Sequence, residues 1–360
     1  MAELPGPPQA NVLLPAGYDP HRRYPLLVLL NALANNFDSY RADGIVAMLE
    51  AAHLDAIVAM PEGGNGWYAD WRNGGHPGGP KWETYELDTV LPTILARFPI
   101  LPERRFHAIA GFSMGGLGAA YLGGRLPGFF GSVASLSGFV DPQYFSPIAG
   151  SLMGLISGAG PREDGLFPVY GAPYGFYAAG HNPSKLAMNL AHTRVFESTG
   201  TGVPSAAGIA NATAGDPNAT GADLYGSALE ALIIDEMSQA FHKALVAAGV
   251  DTVYEVHPGG HDLPDFDQEL TAMLRWGLFK PVPAHPMSWT NDTVATSGRL
   301  WDLSFRFARP PTAVVRFQRS GAMLSISTAG TPVTVTTPGG CAIRAATPAT
   351  VRVPRGSCRD

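Results

Sequence analysis

An α/β architecture with a mostly parallel, doubly wound sheet, followed by a small all-β module, is what this sequence predicts. Short apolar runs alternate with amphipathic stretches through the first three quarters of the chain, which is the βα repetition of a sheet covered on both faces. After Lys280 the helical period stops, and apolar and polar residues alternate with a period of two. The 360 residues suit one large α/β domain with an appendage. The expected division is a catalytic domain over 1–280, a stiff linker PVPAHP over 281–286, and a β-sandwich-like module over 287–360.

In chain order the predicted strands of the first domain are NVLL (11–14), LLVLL (26–30), AIVAM (56–60), FHAIA (106–110), SVASL (132–136), RVFE (194–197) and TVYEV (252–256). Helical periodicity falls between them at 44–53, 82–98, 114–123, 227–248 and 265–276. Two stretches break the pattern. Residues 141–182 are rich in Gly, Pro and aromatics and enclose an apolar patch, IAGSLMGLI (148–156), expected to cap the site. Residues 199–221 have the composition of an excursion from the sheet. In the module, WDLSFRF (301–307), VVRFQ (314–318), MLSIS (323–327), VTVTT (333–337) and TVRVP (350–354) read as short strands.

The chemistry is carried by GFSMGG, in which Ser113 follows a predicted strand and precedes a predicted helix. That order is the nucleophile elbow of an α/β-hydrolase fold, where small neighbours make room for a strained turn. A serine hydroxyl there needs a base, and the base needs an acid, in the chain order Ser, acid, His. Of ten histidines, His261 in HPGGHDLPDF stands just past the last predicted strand, where this fold presents its base. His257 is nearer the strand and reads as structural, while His76, His181 and His242 read as ordinary surface or core histidines. For the acid, Asp216, Asp223, Glu230 and Asp235 all remain open from composition. Two backbone N–H groups must hold the oxyanion, one of them on Met114, the residue after the nucleophile.

Several motifs together resemble the esterase family that includes esterase D and, more closely, the secreted trehalose mycolyltransferases (diacylglycerol acyltransferase/mycolyltransferases). They are LLVLLNALANNFDSY (26–40), MPEGGNGWYADW (60–71), KWETYELDTVLP (81–92), AIAGFSMGG (108–116), SLSGFVDP (135–142), SLMGLISGAG (151–160), HTRVFESTGTGVP (192–204) and the Gly-Gly-His turn. The resemblance spans about residues 9–280. It implies that Glu230 is the acid, with Asp223 in reserve, and that Leu33 supplies the second oxyanion N–H. It also implies departures on the alcohol side. Asn31 and Ala34 stand where that family has a charged Asp and Arg, and Leu263 and Phe266 stand where it has tryptophans beside the sugar. SLMGLISGAG resembles the apolar helix beside the acyl groove, and WYADW (67–71) reads as a belt in which Asp70 holds a loop.

Composition narrows the function classes. Charged residues make up 15% of the chain and the net charge is −6 with no basic cluster, which excludes a nucleic-acid partner. No apolar stretch has the length of a membrane span, and no metal-ligand spacing or cofactor motif is present. Cys341 and Cys358 are the only cysteines and are expected to form a disulfide, hence a secreted or cell-envelope location. The expected function is a cofactor-free serine carboxylic-ester hydrolase acting on a small-molecule, lipid or glycan ester. The alternatives are an acyltransferase using the same residues and a binding protein on a hydrolase scaffold, with the module as a carbohydrate- or surface-binding element.

Overall fold

The computed structural model describes residue 4, residues 9–72, 79–144, 166–203 and 226–354, and residues 356 and 358. The patch at 148–156, the segment SLMGLISGAG, most of 199–221, His76, Asp216 and Asp223 therefore lie outside the described residues.

A seven-stranded sheet forms the centre. Its strands are β1 (Ala10–Leu13), β2 (Leu26–Leu30), β3 (Ile57–Pro61), β4 (His107–Phe112), β5 (Ser132–Leu136), β6 (Arg194–Gly200) and β7 (Asp251–His257). They lie in the order β1-β3-β2-β4-β5-β6-β7, with only β1 antiparallel to its neighbour. Strands β2 to β5 are buried along their whole length, as their predominantly apolar sequences require. After β3 the chain crosses back over β2 to place β4, and from there the strands run outward in the other direction. The switch point therefore falls between β2 and β4, and the crevice beyond their carboxyl ends is where such a sheet binds ligands.

Helices cover both faces. They include α1 (Ile45–Ala51), α2 (Leu91–Arg97), α3 (Met114–Arg125), α4 (Asp235–Ala247) and α5 (Leu263–Trp276). One apolar core joins α3 and α4 to one sheet face, and a second joins α1 and α5 to the other. Pro264 near the start of α5 and the Asp262 side chain, which accepts from Asp265 N at 3.2 Å, fix where that helix begins.

The C-terminal region is two four-stranded antiparallel sheets. One has the order β14 (Ala342–Ala345), β13 (Val333–Thr336), β10 (Leu303–Phe307), β9 (Ser297–Leu300); the other has β15 (Ala349–Arg352), β12 (Met323–Ile326), β11 (Val315–Ser320), β8 (Ser288–Thr293). Their inward residues meet in a core where the Phe305 and Phe317 rings lie 4.9 Å apart. A disulfide joins Cys341 and Cys358, closing the last strands.

The two regions are joined by buried polar bonds. Asn291 Nδ2 donates to Gly124 O at 2.9 Å, Asn189 Nδ2 to Asp292 O at 2.9 Å, and Arg104 Nη1 to Pro283 O at 3.1 Å. Arg125, paired with the buried Glu83 at 2.7 Å, also reaches Ser297 O at 3.3 Å. β8 is absent from the predicted strands for this reason. Its SWTNDT sequence is polar because Asn291, Asp292 and Thr293 are buried against hydrogen-bonding partners, where apolar residues would normally stand.

Candidate active site

Ser113 follows β4 directly and opens α3. Its backbone sits at φ 58° and ψ −116°, a conformation that costs a residue with a side chain about 1–3 kcal/mol. Neighbouring strands impose it. The Ser113 N–H donates to Leu136 O at 2.9 Å, and its carbonyl accepts from Phe139 N at 3.1 Å. A Cβ on Gly115 would overlap the carbonyl of Leu30, so α3 can lie this close to β2 only with glycine there. As the first residue of α3, Met114 has an N–H with no intrahelical acceptor, at the positive end of the helix.

Leu33 stands across the switch point, in the loop after β2. That loop is organised by Asn31, whose side chain is buried. Its Nδ2 donates to Ala32 O at 2.9 Å and Asn35 O at 3.1 Å, while its Oδ1 accepts from Gly63 N at 2.8 Å. Tyr68 donates to the Asn31 carbonyl at 2.9 Å. Ala34, at φ 63°, donates to Asn65 Oδ1 at 2.8 Å. In sequence Asn31 marks only the absence of a charged clamp; in the structure it fixes the path of the loop that carries Leu33. A side chain that satisfies several backbone groups at one turn is the signal that the crowding of Asn31, Asn35 and Asn36 in this stretch could have given.

His261 lies in the turn between β7 and α5. Its Nδ1 meets Glu230 Oε2 at 2.7 Å. Glu230 is completely buried, and its other oxygen, Oε1, accepts from Thr199 Oγ1 at 2.6 Å and Gly200 N at 2.8 Å and contacts Ser137 Oγ at 2.8 Å. The carboxylate is thus held from the ends of β5 and β6. Glu230 itself opens a π-helical turn, Glu230–Ile234, that runs into α4, a local widening often found at functional positions. The opposite ring nitrogen of His261, Nε2, is buried and has no hydrogen-bond partner. The ring is stacked on Phe112, the residue before Ser113, at 4.7 Å.

Ser113, His261 and Leu33 line one cavity of about 270 Å³. Its walls are the aromatics Tyr40, Trp67, Phe112, Phe139 and Phe266 with Leu229, Ile234 and Leu263, and its polar lining includes Asn35, Asp43 and Asp262. Burial raises the pKa of both Asp43 and Tyr40, which keeps the Tyr40 hydroxyl neutral as it donates to Leu30 O at 2.5 Å. Leu263 and Phe266, the departures from tryptophan that the resemblance implies, present carbon to this space.

The remaining candidates fall elsewhere. Asp235 bonds Gln239 and Tyr254 along α4 and β7. His257 meets Glu269 at 3.0 Å, His242 meets Glu197 at 3.0 Å, and His181 lies 3.4 Å from Glu83. Asp70 accepts from Thr84 N at 2.9 Å, at the start of the helix that follows Lys81, so it does hold a loop. Among the described residues no group of three or more His, Cys, Asp or Glu could hold a metal ion, and no helix is long and apolar enough to cross a membrane.

The strained serine turn at the switch point and the sheet order define an α/β-hydrolase fold. The chain belongs to the esterase family: residues 2–277 match the family described as "Putative esterase". It is 29% identical over 265 residues to Esterase Rv1288 of Mycobacterium tuberculosis, covering 71% of this chain and 52% of that protein. It is 27% identical over 246 residues to the diacylglycerol acyltransferase/mycolyltransferase Ag85C of Mycobacterium leprae, covering 63% of this chain and 66% of that one. The chain thus spans about half the length of Esterase Rv1288. Among solved structures, that of Mycobacterium tuberculosis MPT51 superposes with a TM-score of 0.58 at 22% identity, over 77% of this chain and 97% of that one, a likeness of fold.

Proposed function

We propose that this chain is a serine carboxylic-ester hydrolase with Ser113 as nucleophile, His261 as base and Glu230 as the acid that orients it. One observation carries the reading: His261 is tied through Nδ1 to a fully buried carboxylate, while its free Nε2 belongs to a ring that shares a cavity with the strained Ser113. A bond from Nε2 to the serine is commonly long before substrate arrives.

In this mechanism Nε2 removes the Ser113 proton as Oγ attacks the acyl carbonyl. The tetrahedral oxyanion is received by the N–H groups of Leu33 and Met114, each donor worth about 3–4 kcal/mol in the transition state. His261 then passes the proton to the departing alcohol, and water, deprotonated by the same nitrogen, releases the acyl group. Glu230 stays ionised and stabilises the imidazolium. The carbon-lined cavity favours an apolar acyl group, and no cofactor takes part.

The likeness to Ag85C supports a second reading, in which a sugar or lipid alcohol replaces water at the acyl-enzyme. Product analysis with and without an added alcohol separates the two. We place the enzyme outside the cytoplasm, a reading supported by the Cys341–Cys358 bond, and take 1–280 as the catalytic unit with 287–360 docked on it.

The deciding experiment is Ser113→Ala assayed on p-nitrophenyl esters and with a fluorophosphonate probe. Turnover is expected to fall by at least about 10⁴-fold, labelling to vanish, and the melting temperature to hold or rise. Retained turnover or labelling would remove Ser113 from the mechanism and leave the binding-protein reading standing.

A further inference from the structure

Behind Glu230 lies a second carboxylate–imidazole couple that the reaction above does not use. Glu269 of α5 is fully buried, and its Oε1 meets His257 Nε2 at 3.0 Å and Ser137 Oγ at 2.8 Å. The same Ser137 Oγ is 2.8 Å from Glu230 Oε1. Two buried carboxylates therefore face one hydroxyl, which has a single hydrogen to give. Left alone, one of two such carboxylates would take up a proton, since like charges in a dry interior disfavour double ionisation.

His257 resolves the conflict. Its Nδ1 lies 3.0 Å from the Pro258 carbonyl and its Nε2 faces Glu269. With Glu269 ionised both are acceptors, and the ring then carries a proton on each nitrogen. Burial alone would lower the His257 pKa, but the Glu269 carboxylate outweighs it and brings it to about 9. Burial, with Glu230 nearby, holds the Glu269 pKa up. The other titratable groups facing the assembly are Asp265, one turn earlier on α5, whose Oδ2 accepts from Gly260 N at 2.5 Å, Tyr254 of β7, and His261 beyond Glu230.

We propose that His257 and Glu269 are positioning residues for Glu230: the imidazolium neutralises Glu269, so that the Ser137 hydroxyl is released to Glu230 and holds it as an anion against His261. The proposal rests on the reading of Ser113, His261 and Glu230 as the catalytic group. When His257 loses its proton, Glu269 is uncompensated, the Ser137 hydrogen turns to it, and Glu230 loses one of its donors.

The test follows kcat and KM of the full chain on one p-nitrophenyl ester between pH 6 and pH 10. Wild-type kcat is expected to fall about tenfold as pH rises through about 9, with KM held. His257→Gln and Glu269→Gln should both flatten that limb, at different levels. His257→Gln leaves Glu269 without its cation and should sit about tenfold below wild type in kcat already at pH 7, with KM unchanged. Glu269→Gln removes the competing carboxylate and should stay within about threefold of wild type. An alkaline limb that persists unaltered in both glutamine variants, or wild-type kcat at pH 7 in His257→Gln, overturns the proposal. Should His257→Gln not fold, nitrogen NMR of the wild-type histidines decides: an imidazolium at His257 at pH 7.5 supports the couple, and a neutral ring overturns it. Failure of the catalytic reading is separate, because it shows as turnover in Ser113→Ala.

Discussion

At its first residue α3 leaves a backbone N–H without an intrahelical acceptor beside a strained serine and an open cavity, whereas its last turn is bonded to the rest of the molecule. There Gly124 O accepts from Asn291, and Arg125 bridges buried Glu83 and Ser297 of β9. Twelve helical residues, about 18 Å by the rise per residue, separate the two ends. The difference teaches where stability and reactivity are divided in this chain. One end keeps an N–H open toward the cavity, and the β sheets of the C-terminal region bond the other. The bonds from α3 to the C-terminal sheets thus lie a helix length away from Ser113.

That contrast can be broken at either end. The largest effect is expected from a chain ending at Lys280, which strips Asn189, Gly124 and Arg125 of buried partners. At about 1–3 kcal/mol for each orphaned group, several such losses consume most of a stability of about 5–15 kcal/mol. Circular dichroism melts should show little cooperative folding; an unchanged melting temperature would make the module an accessory.

Next comes Arg125→Met, which leaves Glu83 buried without its cation and should cost about 3–5 kcal/mol in urea titration, while activity per folded molecule changes less than about twofold. Ser113→Ala has the reverse signature. The pH dependence sharpens the point. Burial would raise the Glu83 pKa, but Arg125, with His181 and Tyr121, lowers it to about 2. Its stabilisation is therefore complete above the ordinary carboxylate range and is lost as pH falls toward about 2. Arg125→Met should flatten that part of the acid-denaturation curve.

Gly115→Ala, whose new methyl would press on the Leu30 carbonyl, should destabilise by about 1–3 kcal/mol and also lower kcat, because Met114 moves with the helix. Smallest is Leu33→Ala. Its part is played by backbone, so kcat/KM should stay within about threefold; a loss of a hundredfold would mean that the side chain, not the N–H, is what matters.

Much of this was readable beforehand because burial on both faces makes β2 to β5 predominantly apolar runs, and because a serine elbow needs glycines at fixed offsets. The proposed acid was not readable from composition. Glu230 differs from Asp235 only in what surrounds it, namely Ser137, Thr199 and Gly200 from two other strands, and family resemblance alone had singled it out. Asn31 and β8 escaped for a related reason. Polar residues that are buried for their hydrogen bonds look in sequence like loop residues. The His257–Glu269 couple was hidden too, since a turn and two helical turns separate its members along the chain.

Five of the twelve residues of α3 are glycine. By intrinsic propensity that is a deficit of about 5 kcal/mol relative to alanine, so the helix would unravel if lifted out of the molecule. Its shape is lent to it by β2, β4 and β5 on one side and by the module's clasp at the far end. The helix that aims the proposed nucleophile accordingly stands or falls with the whole casing, and wear at a distant seam should shorten the life of the folded molecule before it spoils that aim.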